Sequence, residues 1–184
     1  MRIIAGQFRG KRLKGPRGTG LRPTADRLKE TLFNILGPSI LDASFVDAFA
    51  GTGSVGIEAL SRGAREVLFI ESDPKGLRLI HENLRLCDIT GGYRVMHQDV
   101  FTALRLLGRE GFCADSFFLD PPYQWGPYRD LLEICFRTGL VYQDSRVVVE
   151  HHAKADLPEY GEEYQRVRLV RQGDKRLSFY AFKP

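Results

Sequence analysis

Two short stretches of the chain carry residues whose types and spacing could do chemistry. The first, GTGSVG, places Gly51, Gly53 and Gly56 at the spacing of a nucleotide-binding loop. Asp47 precedes this loop by four residues. The second, Asp-Pro-Pro-Tyr at 120–123, joins a carboxylate, two rigid prolines and an aromatic ring. Both follow short apolar runs of strand-like composition, so one edge of a sheet could hold them together.

The glycine loop is compatible with two kinds of cofactor. Its glycines allow a tight turn, and Glu71, at the end of the next predicted strand, is placed to accept two ribose hydroxyls. These features fit NAD. Asp47 does not fit, because a dinucleotide would bring its pyrophosphate beside this carboxylate. S-adenosylmethionine brings an ammonium and a cationic sulfonium instead, so Asp47 favours that ligand. The alternative is an ordinary surface or capping aspartate.

Asp99 directly follows the third predicted strand, where the edge of an adenine would lie. Its carboxylate could accept a hydrogen bond from the exocyclic amino group. It could also be the N-cap of the helix predicted to begin at Val100. The two roles compete only if they need the same oxygen.

The stretch from Asp120 to Tyr123 predicts chemistry on an amine conjugated to an aromatic base. Prolines have no N–H, and carbonyls in such a stretch can face outward as acceptors. The Asp120 carboxylate and the Pro121 carbonyl could take both amino hydrogens and aim the nitrogen lone pair at an electrophilic methyl group. Tyr123 could stack on the base, a contact worth about 1–3 kcal/mol. The alternative is a strand-ending aspartate followed by a turn at Pro121 and Pro122.

The elements that must position these residues alternate along the chain. Apolar runs separated by helical segments predict a doubly wound α/β sheet, in which ligands bind at the carboxyl ends of the strands. The end of the chain, two alternating runs around Gly173 and Asp174, predicts an antiparallel hairpin. The predicted parallel strands cover residues 45–50, 66–71, 93–98, 115–120 and 145–151.

Charge is distributed unevenly along the chain. Residues 1–37 carry nine Lys and Arg against two acids, a net of +7, and residues 163–184 carry six against two, a net of +4. Such an excess favours a polyanionic partner. Within the first segment, MRIIAG and KRLKG are expected to pair as short strands. The predicted phosphate contacts, which position RNA without reading its sequence, are Arg9, Lys11, Arg12, Lys14 and Arg17.

Composition disfavours several other classes. No apolar run is long enough to span a bilayer and the first residues lack a signal-peptide core, so we expect a cytoplasmic location. Three separated cysteines with no C-x-x-C argue against both disulfides and zinc. His151 and His152 would point to opposite faces of a strand and could not bind one metal together, so no metal is expected.

On these residues the chain resembles a known family. The DPPY stretch is similar to the [DNS]-P-P-[YFW] motif of S-adenosylmethionine-dependent methyltransferases that act on exocyclic amino nitrogens. FVDAFAGTGSVGIEALSRGA resembles their cofactor loop. The first 36 residues, with their RG-x-x-L and RPT-x-DR pieces, resemble the N-terminal signature of the bacterial RsmD family, which methylates guanine N2 in 16S ribosomal RNA.

The resemblance implies a Rossmann-like sheet of seven strands with a reversed last strand. It also implies that S-adenosylmethionine is held at its methionine end by Asp47 and the three loop glycines, at its ribose by Glu71 and at its adenine by Asp99. Residues 120–123 would receive the guanine. The RPTADR segment would close over the site or touch RNA through Arg22, Thr24 and Arg27.

Taken together, the sequence predicts a basic N-terminal arm and helix over residues 1–37 and a methyltransferase domain over 38–184, within one globular unit. The expected partner is 16S ribosomal RNA or a small-subunit assembly intermediate. An adenine-N6 methyltransferase acting on RNA or DNA is the nearer alternative, because the motif recognises an amino group and no particular base. A nucleotide-binding oxidoreductase or a non-catalytic RNA-binding module is the more distant one.

Overall fold

The computed structural model describes residues 1–16, 23–122 and 125–184, and residues 23–25 by their backbone only. Within these residues seven strands form one sheet, in the order β3–β2–β1–β4–β5–β7–β6. The strands are β1 (Ser44–Ala48), β2 (Glu66–Glu71), β3 (Tyr93–His97), β4 (Ser116–Leu119), β5 (Arg146–His152), β6 (Tyr164–Gln172) and β7 (Lys175–Phe182). The prediction of a seven-stranded, doubly wound sheet with an antiparallel C-terminal hairpin is confirmed.

Helices connect the parallel strands. Those in the described part of the chain are α1 (Pro23–Leu36), α2 (Ser54–Ser61), α3 (Pro74–Leu86), α4 (Val100–Arg109) and α5 (Tyr128–Arg137), with a short 3₁₀ helix at Gly37–Ile40. Local sequence explains where α3 begins. The Asp73 side chain accepts a hydrogen bond from the Lys75 N–H at 2.9 Å, and Pro74 occupies the first helical position, where no N–H is needed.

The strand order places a ligand site between β1 and β4. From β1 the sheet grows through β2 and β3 in one direction and through β4 and β5 in the other, and these five strands are parallel. Ligands of open α/β sheets bind outside the carboxyl ends of the strands at such a reversal. The β6–β7 turn lies at the same edge, because Lys175 at the start of β7 pairs with His152 at the end of β5.

Both faces of the sheet are covered. In the central strands, Val46 and Phe117 pack with residues of α4 and α5, while Phe45 and Phe118 pack with residues of α1, α2 and α3. Every residue of β1 and β4 is buried, which explains their continuous apolar character. Each buried phenylalanine contributes roughly 1.5–3 kcal/mol relative to an exposed one.

The first strand is shorter than predicted. The apolar run 45–50 predicts a strand through Ala50, but β1 ends at Ala48. Phe49 adopts a φ of 63°, in the left-handed region that bulky side chains rarely occupy, so the chain leaves the sheet there. Hydrophobic pattern cannot reveal this turn, because Phe49 has the residue type of a strand. The strain lies at the mouth of the glycine loop.

Candidate active-site cleft

Two neighbouring cavities lie along the carboxyl edge of the sheet. The larger, of about 590 Å³, lies at the ends of β1 and β4 and contains Asp47, Gly51 and Asp120 in its wall. The smaller, of about 250 Å³, lies at the ends of β2 and β3 and is lined by Glu71 and Asp99, among others. Phe49 lines both cavities. The structure therefore brings four of the predicted cofactor residues and the predicted acceptor carboxylate to one cleft, whereas Gly53 and Gly56 line neither cavity.

The glycine loop needs its glycines for two different reasons. Gly51 and Gly53 have φ values of 56° and 73°, which favour glycine. Gly56 lies in α2 where it crosses β2, and a Cβ atom there would lie 2.3 Å from the Phe69 ring. The first two glycines shape the turn and the third allows the helix to pack closely against the strand.

Asp47 is buried below the loop. Its Oδ2 accepts a hydrogen bond from the Gly56 N–H at 2.8 Å, and the side chain also lines the larger cavity. Burial raises the pKa of Asp47 well above its usual range, and the nearby carboxylates of Asp120 and Glu71 act in the same direction. A cationic ligand group in the cavity would therefore relieve an unfavourable charge. Asp47 is not a surface aspartate, because only 2% of it is exposed, but its bond to the Gly56 N–H in the first turn of α2 is the capping contact that the alternative interpretation expected.

Glu71 ties the glycine loop to the turn after β2. Its Oε2 accepts from the Gly51 N–H at 2.6 Å, and its Oε1 accepts from the Asp73 N–H at 2.7 Å. Each carboxylate oxygen has a second lone pair, so ribose hydroxyls can still bind. The sequence predicted that Glu71 binds a ligand. The structure shows that Glu71 also fixes the backbone of the glycine loop.

Asp99 is an N-cap. Its Oδ1 accepts from the Thr102 N–H at 3.0 Å, and hydrogen bonding to Thr102 lowers the pKa of this carboxyl group. It also lines the smaller cavity. The cap uses Oδ1, which leaves Oδ2 for the adenine contact, and that contact stays a prediction.

An aromatic cluster lines the smaller cavity. The Trp125 ring stacks on Phe101 with a centroid distance of 5.9 Å and meets Phe49 edge to face at 5.4 Å. Trp125 also packs edge to face on Tyr128 at 5.2 Å. Trp125 thus packs its loop and forms part of the wall of the smaller cavity. Phe49 and Phe101 line the same cavity but were not predicted as site residues, because nothing in their sequence context distinguishes them from core residues.

Asp120 lies directly after β4 and lines the larger cavity. Asp120 is an exposed residue of the cavity wall. Neighbouring protein atoms nevertheless desolvate its carboxyl group and raise the pKa of Asp120 to about 7, with Glu150 raising it further and Lys175 lowering it. Protonation of Asp120 at neutral pH would remove a hydrogen-bond acceptor. The charges of Glu150 and Lys175 therefore influence whether Asp120 can act as that acceptor.

The two prolines after Asp120 differ. The Pro122 carbonyl accepts a hydrogen bond from the Trp125 N–H at 2.9 Å, so it closes the turn. The Pro121 carbonyl is the second acceptor that the sequence predicts, but Pro121 is buried and lines neither cavity, so its role stays a prediction. Tyr123, the predicted stacking residue, lies outside the described residues.

The predicted RNA-binding arginines that the structure describes do not form part of the cavity wall. Arg9, Arg12 and Arg27 are exposed, and none of them lines either cavity. The arm instead contributes a roof to the larger cavity through Met1, Leu13, Gly15 and Pro16. Arg22 and the side chain of Thr24 lie outside the described residues.

The arm is a small hairpin, as its sequence predicted. Arg2 and Arg12 form an antiparallel bridge, and the Ile3 N–H donates to the Lys11 carbonyl at 3.0 Å. Buried Glu58 of α2 holds it, since its carboxylate accepts from the Ile4 and Ala5 N–H groups at 2.8 and 3.0 Å.

Two further side chains complete this attachment. Lys29 of α1 lies 3.3 Å from the Glu58 carboxylate and donates to the Arg2 carbonyl at 2.8 Å. Asn83 of α3 accepts from the Lys14 N–H at 2.7 Å and donates to the carbonyls of Lys14 and Thr52. None of this was evident from the sequence, because a charged residue in a short helix is usually solvated.

The described residues also bear on metal binding and on membrane-spanning helices. In residues 1–16, 23–122 and 125–184, no group of three or more histidine, cysteine, aspartate or glutamate side chains could hold a metal ion. His151 bonds through Nε2 to the Ser178 hydroxyl at 2.9 Å. No helix in the same residues is long and apolar enough to cross a membrane.

The chain is similar to known proteins over nearly its full length. The family described as conserved hypothetical protein 95 matches residues 1–181. The ribosomal RNA small subunit methyltransferase D of Escherichia coli K12 is 37% identical over 158 residues, covering 86% of this chain and 78% of that protein.

Solved structures have the same fold. A Thermus thermophilus protein described as hypothetical is 31% identical with a TM-score of 0.81, covering 97% of this chain and 98% of that one. A SAM-dependent methyltransferase from Agrobacterium tumefaciens is 16% identical with a TM-score of 0.65, covering 94% of this chain and 66% of that one. The second likeness concerns the fold alone.

Proposed function

The chain belongs to the family described as conserved hypothetical protein 95, the RsmD family of methyltransferases, and on this premise we propose that it methylates the exocyclic N2 of a guanine in 16S ribosomal RNA. The methyl donor proposed is S-adenosylmethionine. The observation that carries the proposal is the shared wall of the larger cavity, where the glycine loop and Asp47 face the same space as Asp120.

The cleft fits the proposed cofactor. Buried Asp47, whose carboxylate opens into the larger cavity, is suited to an ammonium group, and Gly51 and Gly53 let a ligand approach the loop backbone. Glu71 and Asp99 retain lone pairs toward the smaller cavity, and Phe49, Phe101 and Trp125 give it an apolar wall for a base. When bound, the cofactor supplies an electrophilic methyl group on a sulfonium.

The residues of the chain act by positioning. Asp120 and the Pro121 carbonyl accept the two hydrogens of the guanine amine, which turns the nitrogen lone pair toward the methyl carbon. S-adenosylmethionine, which Asp47, Glu71 and Asp99 would hold, would supply both the methyl carbon and the leaving group, and the methylated amine would lose one proton to solvent. Positioning of two reactants can supply several kcal/mol of the barrier reduction. A dedicated general base is not required.

The proposed partner is 16S ribosomal RNA, free or in a small-subunit assembly intermediate, in the cytoplasm. A guanine stacked in a helix cannot reach Asp120 inside the cleft, so the target must be unstacked or lie in a loop. The exposed Arg9, Arg12 and Arg27 are placed outside the cavity, where phosphates would pass. The proposed division of labour is an RNA-binding segment at 1–37 and a catalytic domain at 38–184.

Nucleoside mass spectrometry tests the proposal. We expect 16S RNA from a strain without this gene to lack one N2-methylguanosine, which the intact gene restores and the Asp120→Ala gene does not. Unchanged N2-methylguanosine with a loss of N6-methyladenosine in RNA or DNA would transfer the activity to adenine. Thermal stabilisation of the protein by NAD and not by S-adenosylhomocysteine would instead favour the oxidoreductase.

A further inference from the structure

Three neighbouring strands each place a charged side chain in the wall of the larger cavity. Asp120 follows β4, Glu150 lies in β5 and Lys175 begins β7, and all three line the cavity. The register places them side by side: Leu119 pairs with Val149, so Asp120 and Glu150 are the next positions along. Adjacent strands lie about 4.8 Å apart, a spacing at which one planar ligand can reach several of them.

The three side chains share one face of the sheet. Glu150 is directly opposite Leu177, and Lys175 is two residues before Leu177 on the same strand, so Glu150 and Lys175 project from the same side. Their side chains form an ion pair. The Glu150 side chain is only 12% exposed, whereas that of Lys175 is 37% exposed. The pair thus borders the cavity from its sheet side.

The second lysine of this cavity serves the attachment of the arm. Among the described residues the cavity wall contains two lysines, Lys29 and Lys175. Lys29 donates to the Arg2 carbonyl and faces the buried Glu58 carboxylate, so it serves the attachment of the arm. Lys175 is therefore the lysine placed beside Asp120.

We propose that Glu150 and Lys175 select guanine by reading the groups next to the methylated amine. Across the three strands the protein offers acceptor, acceptor and donor, from Asp120, Glu150 and Lys175. Guanine presents donor, donor and acceptor along one edge, as its N2 amine, N1–H and O6. Asp120 takes the amine, Glu150 accepts from N1–H, and Lys175 donates to O6. Bases flipped into enzyme pockets are read through this edge.

The same three side chains, Asp120, Glu150 and Lys175, would discriminate against the other bases that carry an amino group. Adenine has an acceptor, N1, beside its amine, and cytosine has an acceptor, N3, in the same place. Either lone pair would face the Glu150 carboxylate, which cannot donate when ionised. The DPPY stretch alone recognises an amine; Glu150 and Lys175 would add the identity of the base. This inference rests on the proposed function, because it assigns parts of the same site.

Base analogues at the target position test this inference. Small-subunit RNA is assembled by ligation with guanine, 2-aminopurine or 2,6-diaminopurine at the nucleotide found by mass spectrometry. It is offered naked and after reconstitution with small-subunit proteins. Both analogues keep the 2-amino group but present an acceptor at N1. We expect kcat/KM of the unmodified enzyme to be about 10- to 100-fold lower for the analogues than for guanine.

Glu150→Gln should change this preference. An amide can donate to N1 of the analogues as well as accept from guanine N1–H, so the variant should gain relative activity on the analogues and narrow the guanine to diaminopurine ratio about tenfold. Lys175→Met should lower activity on guanine more than on 2-aminopurine, which has no O6. The matched control is Glu110→Gln, which loses an exposed ion pair with Arg94 away from both cavities and should keep the parental ratio.

The outcomes separate the two proposals. Equal use of guanine and 2-aminopurine by the unmodified enzyme would overturn the inference without any mutation. Equal loss of activity on all three bases in Glu150→Gln would do the same, since it would assign the ion pair a structural role. No methylation of the guanine RNA by the unmodified enzyme would overturn the proposed function, and this inference with it.

Discussion

The two cavities of the cleft are built in different ways. In the smaller one, Glu71 and Asp99 are fixed by backbone N–H groups, and an aromatic cluster supplies the wall. In the larger one, Asp120, Glu150 and Lys175 are held near one another by strand register and charge. The smaller cavity is therefore shaped mainly by the backbone, whereas the Asp120 side of the larger cavity is tuned by the balance of a few ionised groups.

The largest expected effect is a loss of turnover with little change in cofactor affinity. Asp120→Ala should lower kcat by at least about a hundredfold, because it removes an acceptor that acts on the reacting amine. Affinity for S-adenosylhomocysteine, measured by calorimetry, should stay within about twofold. Parallel losses of turnover and of affinity would mean that Asp120 supports the whole cleft and would remove the distinction.

The complementary change is Glu71→Gln. It replaces a carboxylate that accepts from the Gly51 and Asp73 N–H groups, and hydrogen bonds to charged groups contribute about 1.5–3 kcal/mol each. Affinity for S-adenosylhomocysteine should fall about tenfold, with a smaller effect on kcat at saturating cofactor. Calorimetry with steady-state kinetics measures both. A loss confined to kcat would assign Glu71 to the Asp120 side of the larger cavity.

The free energy of unfolding tests how closely α2, which follows the glycine loop, packs on β2. Gly56→Ala would place a methyl group 2.3 Å from the Phe69 ring, and overpacking of this kind costs about 1–3 kcal/mol. Urea unfolding should show that loss. Gly91→Ala is the matched control, since no atom lies within 4 Å of a Cβ there and its φ is not in the left-handed region. Equal stability of the two variants would contradict the close packing of α2 on β2.

The smallest expected effect concerns pH and belongs to the Asp120 side of the larger cavity. The pKa of Asp120 is raised to about 7, chiefly by desolvation and further by Glu150. The ionised carboxylate is the stronger acceptor for the amino hydrogen that Asp120 takes, so activity should fall as the pH drops through about 7. Glu150→Gln removes the repulsion that raises this pKa, and the fall should then begin at lower pH. An unshifted pH–rate profile in that variant would show that Glu150 does not influence Asp120.

Much of the fold could be predicted because its signals are local. Buried parallel strands read as continuous apolar runs, and Gly173 with Asp174 marks the hairpin. The sequence also predicted that Asp47 and Asp120 lie at the edge of the sheet, and both line the larger cavity there. Each has a position along the chain that already implies the edge of a sheet.

What the sequence could not supply depends on neighbours across the sheet. Glu150 and Lys175 are 25 residues apart and meet only because β7 lies antiparallel beside β5. The turn at Phe49 depends on a backbone angle that its residue type does not suggest. The burial of Glu58 follows from the arm that covers it, so a helical charge that looks solvated in the sequence becomes an anchor.

The attachment of the N-terminal arm has a consequence for how such an enzyme could change its substrate. Glu58 and Asn83 grip the arm by main-chain atoms of Ile4, Ala5 and Lys14, so its path does not depend on most of its side chains. Outward residues such as Arg9 and Arg12 can then be exchanged while the roof of the cavity keeps its shape. The arm thus presents exchangeable outward side chains on a fixed backbone, so another relative's outward residues can be grafted onto it to test whether they position the proposed RNA.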